Sequence, residues 1–157
     1  MGRNRRIQPE LESDMVTRED LESFLIRMDL EWEEIDEGMF LVHSREHGVP
    51  LVIHHSPPLL LLRLKVMHLP DDGQHDFTEL YRTLLELNAT DVVHGAYGLE
   101  EGDIILTDTL QLETLDFPEL QASAESLQIA ASSHIDRIRT LAGADTVPES
   151  AGEGAAS

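Results

Sequence analysis

The stretch NATDVVHGAYGLEEGDIILTDTLQLETLDFPEL, Asn88 to Leu120, carries more folding information than any other part of the chain. Gly98-Leu99-Glu100-Glu101-Gly102 is a short polar link with glycine at each end, set between two runs rich in apolar and β-branched residues, which is the pattern of a β-hairpin. In the second run Ile104, Leu106, Leu110 and Leu112 fall on one face, with Asp103, Thr107, Thr109 and Gln111 on the other. That alternation predicts a half-buried strand, interrupted once at Ile105 and once at Asp108. The strand is expected to run through Thr114 into a helix start, where Asp116 caps, Pro118 suits the first turn and Glu119 completes a capping box.

Working outward, composition bounds the class. A chain of 157 residues that is 41% hydrophobic suits one domain with a real core, and with 4% aromatic residues that core must be mainly aliphatic. The formal charge of −20 argues against nucleic acid and anionic lipid surfaces as partners, because both would repel most of this surface. The chain has no cysteine, which excludes disulfides, thiolate metal sites and a cysteine nucleophile. No apolar run is long enough for a membrane helix and the first residues lack the apolar core of a signal peptide, so a cytoplasmic protein is expected.

Along the chain, residues 1–15 carry Arg3, Arg5 and Arg6, then Glu10, Glu12 and Asp14, with little periodicity, and are expected to form a mobile tail. Thr17 caps a first helix whose stripe is Leu21, Phe24, Leu25 and Met28. Leu30 to Ile35 reads as a strand, and its glutamates make it an edge candidate. Asp36-Glu37-Gly38 turns into a strand over Met39 to Ser44, and Arg45-Glu46-His47-Gly48 turns into another over Val49 to His54. A Ser56-Pro57-Pro58 break precedes the most apolar run, Leu59 to Met67. On a strand, Leu60, Leu62, Leu64 and Val66 form a wholly aliphatic face, while Leu59, Leu61, Arg63, Lys65 and Met67 form a mixed one. Either a helix covers Leu59 and Leu61, or they lie exposed beside two cations as a contact surface.

A second helix is expected over Asp76 to Asn88, with Phe77, Leu80, Tyr81, Leu84 and Leu87 on its stripe and Leu85 widening it. A third runs from Pro118 to about Leu141, with Leu120, Ala124, Leu127, Ala131, Ile135, Ile138 and Leu141 facing inward. Gly143 ends it, and residues 143–157 are expected to be a disordered tail of Gly, Ala, Ser, Glu and Pro. Residues 16–142 thus form a single α+β domain: an antiparallel sheet with three helices, in the order α-β-β-β(β)-α-β-β-α.

Leu84-Leu85-Glu86-Leu87-Asn88 at a helix end, the following strand, Tyr97-Gly98-Leu99-Glu100-Glu101-Gly102-Asp103-Ile104 and the long alanine-rich last helix together resemble the YbjN-like family of bacterial proteins. The likeness runs by element order from Thr17 to Leu141 and is most specific between Leu84 and Leu127. That family, whose members are labelled sensory transduction regulators without an agreed activity, is similar in fold to the small type III secretion chaperones, which are acidic and typically homodimeric. The resemblance implies no catalytic motif. It implies a homodimer that binds an unidentified protein or peptide client along apolar patches, here Leu59 and Leu61 with Arg63 and Lys65 and whichever face of the second helix is left uncovered; addition of a client strand to an open sheet edge is a further mode.

Other chemistry finds little support. His54-His55 with His43, His68 or His94 invites a metal site, yet adjacent strand residues point to opposite faces, and neither HExxH nor a complete calcium loop is present. Serines stand in no GxSxG setting and glycines form neither a P-loop nor GxGxxG. Glu33-Glu34 and Glu100-Glu101 read as solvated acids. The expectation is therefore a non-catalytic protein-binding or regulatory module, with no metal or cofactor. The alternative is a small-ligand or metal-binding sensor, to be told apart by whether exposed apolar surface is shallow or concave.

Overall fold

The computed structural model describes residues 15–44, 48–71 and 73–143. The tails expected over 1–15 and 143–157 lie outside the described residues except for Met15, which packs against the core, and Gly143. Residues 45–47 of the expected Arg45–Gly48 turn also lie outside them.

Within the described residues the order is α1 (Arg18–Arg27), β1 (Trp32–Asp36), β2 (Met39–Val42), β3 (Leu51–Ser56), β4 (Leu59–His68), α2 (Thr78–Thr90), β5 (Ala96–Glu100), β6 (Asp103–Gln111) and α3 (Phe117–Leu141). The strands form one antiparallel sheet in the order β1-β2-β3-β4-β6-β5, so β1 and β5 are its two edges. This is the α+β architecture expected, three helices against an antiparallel sheet. Local signals set the helix starts: Thr17 and Asp20 form a reciprocal capping box on α1, and the Asp116 carboxylate accepts the Glu119 amide at 2.8 Å on α3.

All three helices pack on one face. Phe40 and Val42 of β2, Leu51 and Ile53 of β3, Leu60, Leu62 and Leu64 of β4, and Leu106 and Leu110 of β6 point into it and are buried. They meet Leu21 and Leu25 of α1, Leu80, Leu84 and Leu87 of α2, and Leu120, Ala124, Leu127, Ala131 and Ile138 of α3. Each buried leucine contributes roughly 1.5–3 kcal/mol relative to exposure, so this aliphatic core carries the fold with few aromatic rings.

Several boundaries differ from the sequence reading. The hairpin link shrinks to two residues: Gly98 and Leu99 belong to β5, Glu100 pairs with Asp103, and Glu101 and Gly102 both take positive φ, 50° and 85°. A two-residue turn with both residues left-handed matches the twist of its strands. The Ser56-Pro57-Pro58 break is likewise a hairpin link, since Ser56 pairs with Leu59 directly across it. Strand β6 ends at Gln111 rather than Thr114. Helix α2 starts two residues late because the Asp76 carboxylate takes the Thr78 amide and hydroxyl in a local turn. A bulge between Lys65 and Met67 makes Val66 an extra residue, so Met67 pairs with Ile104 and packs against the core instead of sharing the mixed face.

Gly95 (φ +79°) marks the tightest approach, because a Cβ there would sit 2.2 Å from the Thr107 carbonyl oxygen and 2.9 Å from Leu127 Cδ2. Gly95→Ala should therefore lower unfolding stability by about 2–4 kcal/mol, combining left-handed strain with overpacking. Gly98→Ala, in ordinary strand backbone with its nearest contact at 3.9 Å, should change it by less than about 1 kcal/mol in the same urea titration.

Candidate protein-binding surface

Among the described residues every helix lies on one side of the sheet, and none covers the other face. Directly opposed residues on neighbouring strands share a face, so the registers assign it: Leu59 stands beside Ser56 and Gln111, Leu61 beside His54 and Thr109, Arg63 beside Val52 and Thr107, and Lys65 beside Ile105. The same rows continue through Met39 and Leu41 of β2. Leu59 and Leu61 are thus on the uncovered face, where they join Met39, Leu41 and Val52 in a half-buried apolar strip.

Its charges are arranged across the sheet. Arg63 lies 2.6 Å from a Glu100 oxygen, and Asp103 accepts from Lys65 at 3.4 Å and bonds His68 Nδ1 at 2.6 Å. The His68 hydrogen bond, helped by Lys65, holds the Asp103 carboxyl below the usual carboxylate range. Solvent-exposed pairs of this kind contribute little energy, but they cancel the two cations expected to face a partner. At the far side of the strip, β1 contributes Glu31 and Glu33, both exposed.

The histidines diverge. His54 lies on the open face beside Met39 and Leu61, whereas His55 points to the helix side and its Nε2 bonds the Val16 carbonyl at 2.9 Å. His43 sits at the end of β2 and His68 on Asp103. Among the described residues no three histidine or carboxylate groups converge as metal ligands.

A second exposed apolar surface lies at the other end of the sheet. Tyr81 (39% exposed) and Leu85 (69%) were expected on the apolar stripe of α2, but the buried stripe is narrower, Leu80, Thr83, Leu84 and Leu87, and at 100° per residue it leaves both at its margin. With Leu99 (49%) they border a groove of about 280 Å³ floored by Leu84, Asn88, Tyr97 and Gly98.

Two polar arrangements brace this end, and both escaped the sequence reading. The Asn88 side chain takes the Tyr97 amide at 2.7 Å and gives its own Nδ2 hydrogen to the Tyr97 carbonyl at 3.2 Å, acting as a stand-in for a neighbouring strand. The Tyr97 hydroxyl bonds His134 Nδ1 at 2.8 Å, and His134 Nε2 faces Asp91 at 3.3 Å. This trio ties β5, α3 and the end of α2 together. Burial pushes the Tyr97 hydroxyl pKa up, so it stays protonated, while the Thr90 hydroxyl, with His134, draws Asp91 down. Asn88 stood in the stretch quoted first, but nothing local marks a side chain that pairs with a strand nine residues on.

The sequence matches the CesT_Tir_1 family model over residues 14–144. No curated protein matches it significantly. Among solved structures, a chain of the heterodimeric ExoU–SpcU complex from the type III secretion system of Pseudomonas aeruginosa shares 13% identity at a TM-score of 0.53, covering 76% of this chain and 94% of that one. YbjN from E. coli shares 11% identity at a TM-score of 0.55, over 75% of this chain and 90% of its own. A chain of the HopA1–SchA chaperone–effector complex shares 16% at 0.56, over 78% and 94%. At these identities the likeness is one of fold.

The Asp103 cluster makes a testable contribution to pH dependence. A carboxyl whose folded pKa is depressed adds stability that is complete above its unfolded pKa, about 3.9, and is lost as pH falls through the lower folded value. Urea midpoints of wild type and Asp103→Asn should therefore differ at pH 5 and converge as the pH is taken below about 4.

Proposed function

This chain belongs to the CesT_Tir_1 family, a type III secretion chaperone family, and from that premise we propose that it is a non-catalytic protein-binding module acting in the cytoplasm. The client is an extended segment of another protein, laid across the open sheet face on Leu59 and Leu61 with Met39, Leu41 and Val52. The observation that carries this reading is the uncovered apolar strip itself. Its side chains are half-buried by their neighbours yet lie under no helix, and they offer apolar area of the kind a peptide covers. Two of the solved relatives in fold are complexes, one of them a chaperone with its effector, which supports a protein partner. Arg63 and Lys65 border the strip in ion pairs with Glu100 and Asp103, so their role is to frame it and hold its charge near neutral.

A second copy of the chain is the partner proposed for the Tyr81–Leu85–Leu99 surface. That patch is apolar, borders α2 and β5, and leaves the open face free for a client. Leu85→Glu should shift the protein from dimer to monomer in light scattering at micromolar concentration while leaving its circular dichroism unchanged.

The client reading is tested by quantitative affinity capture from lysate of the source organism, comparing wild type with a Leu59→Glu, Leu61→Glu double variant of unchanged fold. A protein enriched by the wild type should fall by about tenfold or more with the variant, since buried apolar anchors commonly contribute above 1 kcal/mol each. Equal capture by both would remove the client from this face. Thermal stabilisation by a metal ion or metabolite, with no protein enriched, would favour a sensor instead.

A further inference from the structure

We propose that the hollow between the β5–β6 turn and the start of α2 binds a small organic cation, of the alkylammonium or quaternary ammonium class. The proposal goes beyond the protein-binding reading above and does not rest on it.

The hollow holds about 560 Å³, within the roughly 300–1,000 Å³ that small-molecule sites occupy. Three rings line it. Phe77 and Tyr81 lie 6.0 Å apart and tilted by 50°, so they form two walls at an angle, and His75 stacks nearly parallel on Phe77 at 5.7 Å. Core packing accounts for Phe77 in part, but not for His75 or Tyr81, which are exposed. Such a grouping stands out in a chain with one tryptophan, two tyrosines and four phenylalanines. The walls are also held in place. The Leu69 amide bonds the Gly102 carbonyl at 2.7 Å and so fixes the end of β4 against the turn, while His68, on the same hollow, is held by Asp103 at 2.6 Å. A Cβ on Gly102 would come within 3.1 Å of the His68 ring, and one on Gly143 within 3.2 Å of the His75 ring, so both rings sit close against bare glycine backbone.

Charge then selects the ligand. A cation over an aromatic face is attracted by the ring quadrupole, and quaternary ammonium groups are recognised in this way. Asp71 and Glu101 border the same hollow, and among the described residues no ion pair engages either carboxylate. None of the described residues that line it is a lysine or an arginine. The positive end of α2, which begins beside the hollow, is offset by the Asp76 carboxylate that takes the Thr78 amide and hydroxyl. An anion would be repelled by a chain whose formal charge is −20, and a cation is drawn in. Tyr81 and Leu99 also border the groove beside Leu85, so a cation bound here would lie next to the contact proposed for a second copy.

The test titrates the full isotope-labelled chain, followed by nuclear magnetic resonance, with choline, with the uncharged alcohol in which carbon replaces the choline nitrogen, and with a short lysine-containing peptide. Choline should shift the amides of Gly73, Phe77, Tyr81 and Gly102 saturably and bind about fivefold or more tightly than the alcohol. Tyr81→Leu, which keeps an apolar wall but removes the ring, should lower choline affinity by about fivefold and change that of the alcohol little. Asp71→Asn with Glu101→Gln should weaken choline binding and flatten its dependence on salt, whereas Glu31→Gln with Glu33→Gln at the other end of the sheet should leave both unchanged. Equal affinity for choline and the alcohol would overturn recognition of the charge. Shifts that do not saturate and spread over the acidic surface, or no shifts at all, would overturn the site. Tighter binding of the lysine peptide at the same amides would overturn the small-molecule source by placing the cation on a protein.

Discussion

The two-sidedness of β4 is the constraint on which the rest of the molecule depends. This ten-residue strand pairs with β3 on one side and β6 on the other, and its alternate residues Leu60, Leu62 and Leu64 lie at the centre of the core. A slip of one residue would bring Leu61, Arg63 and Lys65 to the helix side and send the core leucines to solvent. Burying an unpaired cation costs several kcal/mol, and losing three buried leucines costs a similar amount again. The register is therefore held by large terms of one sign. The open face follows from it: Leu59 and Leu61 lie there, half-buried, because Leu60 between them is buried in the core.

The helices are held to the sheet by apolar packing, but their positions are refined by a few buried or half-buried hydrogen bonds. Asp108 lies on the helix side of β6, opposite Leu62, and accepts the Ser123 hydroxyl of α3 at 2.6 Å. That contact explains why an aspartate interrupts the alternation of β6, since a carboxylate facing a helix is tolerated where it is bonded. His55 anchors the entry of the chain through the Val16 carbonyl, and the Val16 amide bonds the Leu112 carbonyl at 3.0 Å. At the opposite end the Tyr97–His134–Asp91 trio does the same for α3 and α2. These bonds join segments tens of residues apart, and each removes a choice that apolar packing alone would leave open.

What was legible in the sequence is what local chemistry decides. Thr17 and Asp116 announced their helices through capping, and the alternation of Leu59 to Val66 identified the face that helices cover. Edge status for β1 was visible in its glutamates. What escaped depended on contacts between distant segments. Tyr81 and Leu85 border the apolar stripe by spacing, and how far the stripe is buried depends on what α2 packs against. The bulge that reverses Met67 arises from pairing with β6, and the neutralisation of Arg63 and Lys65 comes from Glu100 and Asp103 more than thirty residues on. The face on which Leu59 and Leu61 lie was thus legible from alternation, whereas the ion pairs of Arg63 and Lys65 were not.

Strand order finally sets how the surfaces can be used together. The open edge at β1 and the apolar patch beside β5 stand at opposite ends of a six-stranded sheet, about 24 Å apart at the usual spacing between strands. Asn88 makes the ends differ further, because its side chain occupies the outward amide and carbonyl of Tyr97 on β5. That end also carries the exposed patch of Tyr81, Leu85 and Leu99, while the β1 end carries the exposed Glu31 and Glu33. A sheet whose two edges were both open would invite chain-like association between copies. Here Asn88 at one edge and Glu31 and Glu33 at the other each discourage such pairing, one by occupying backbone groups and the others by charge.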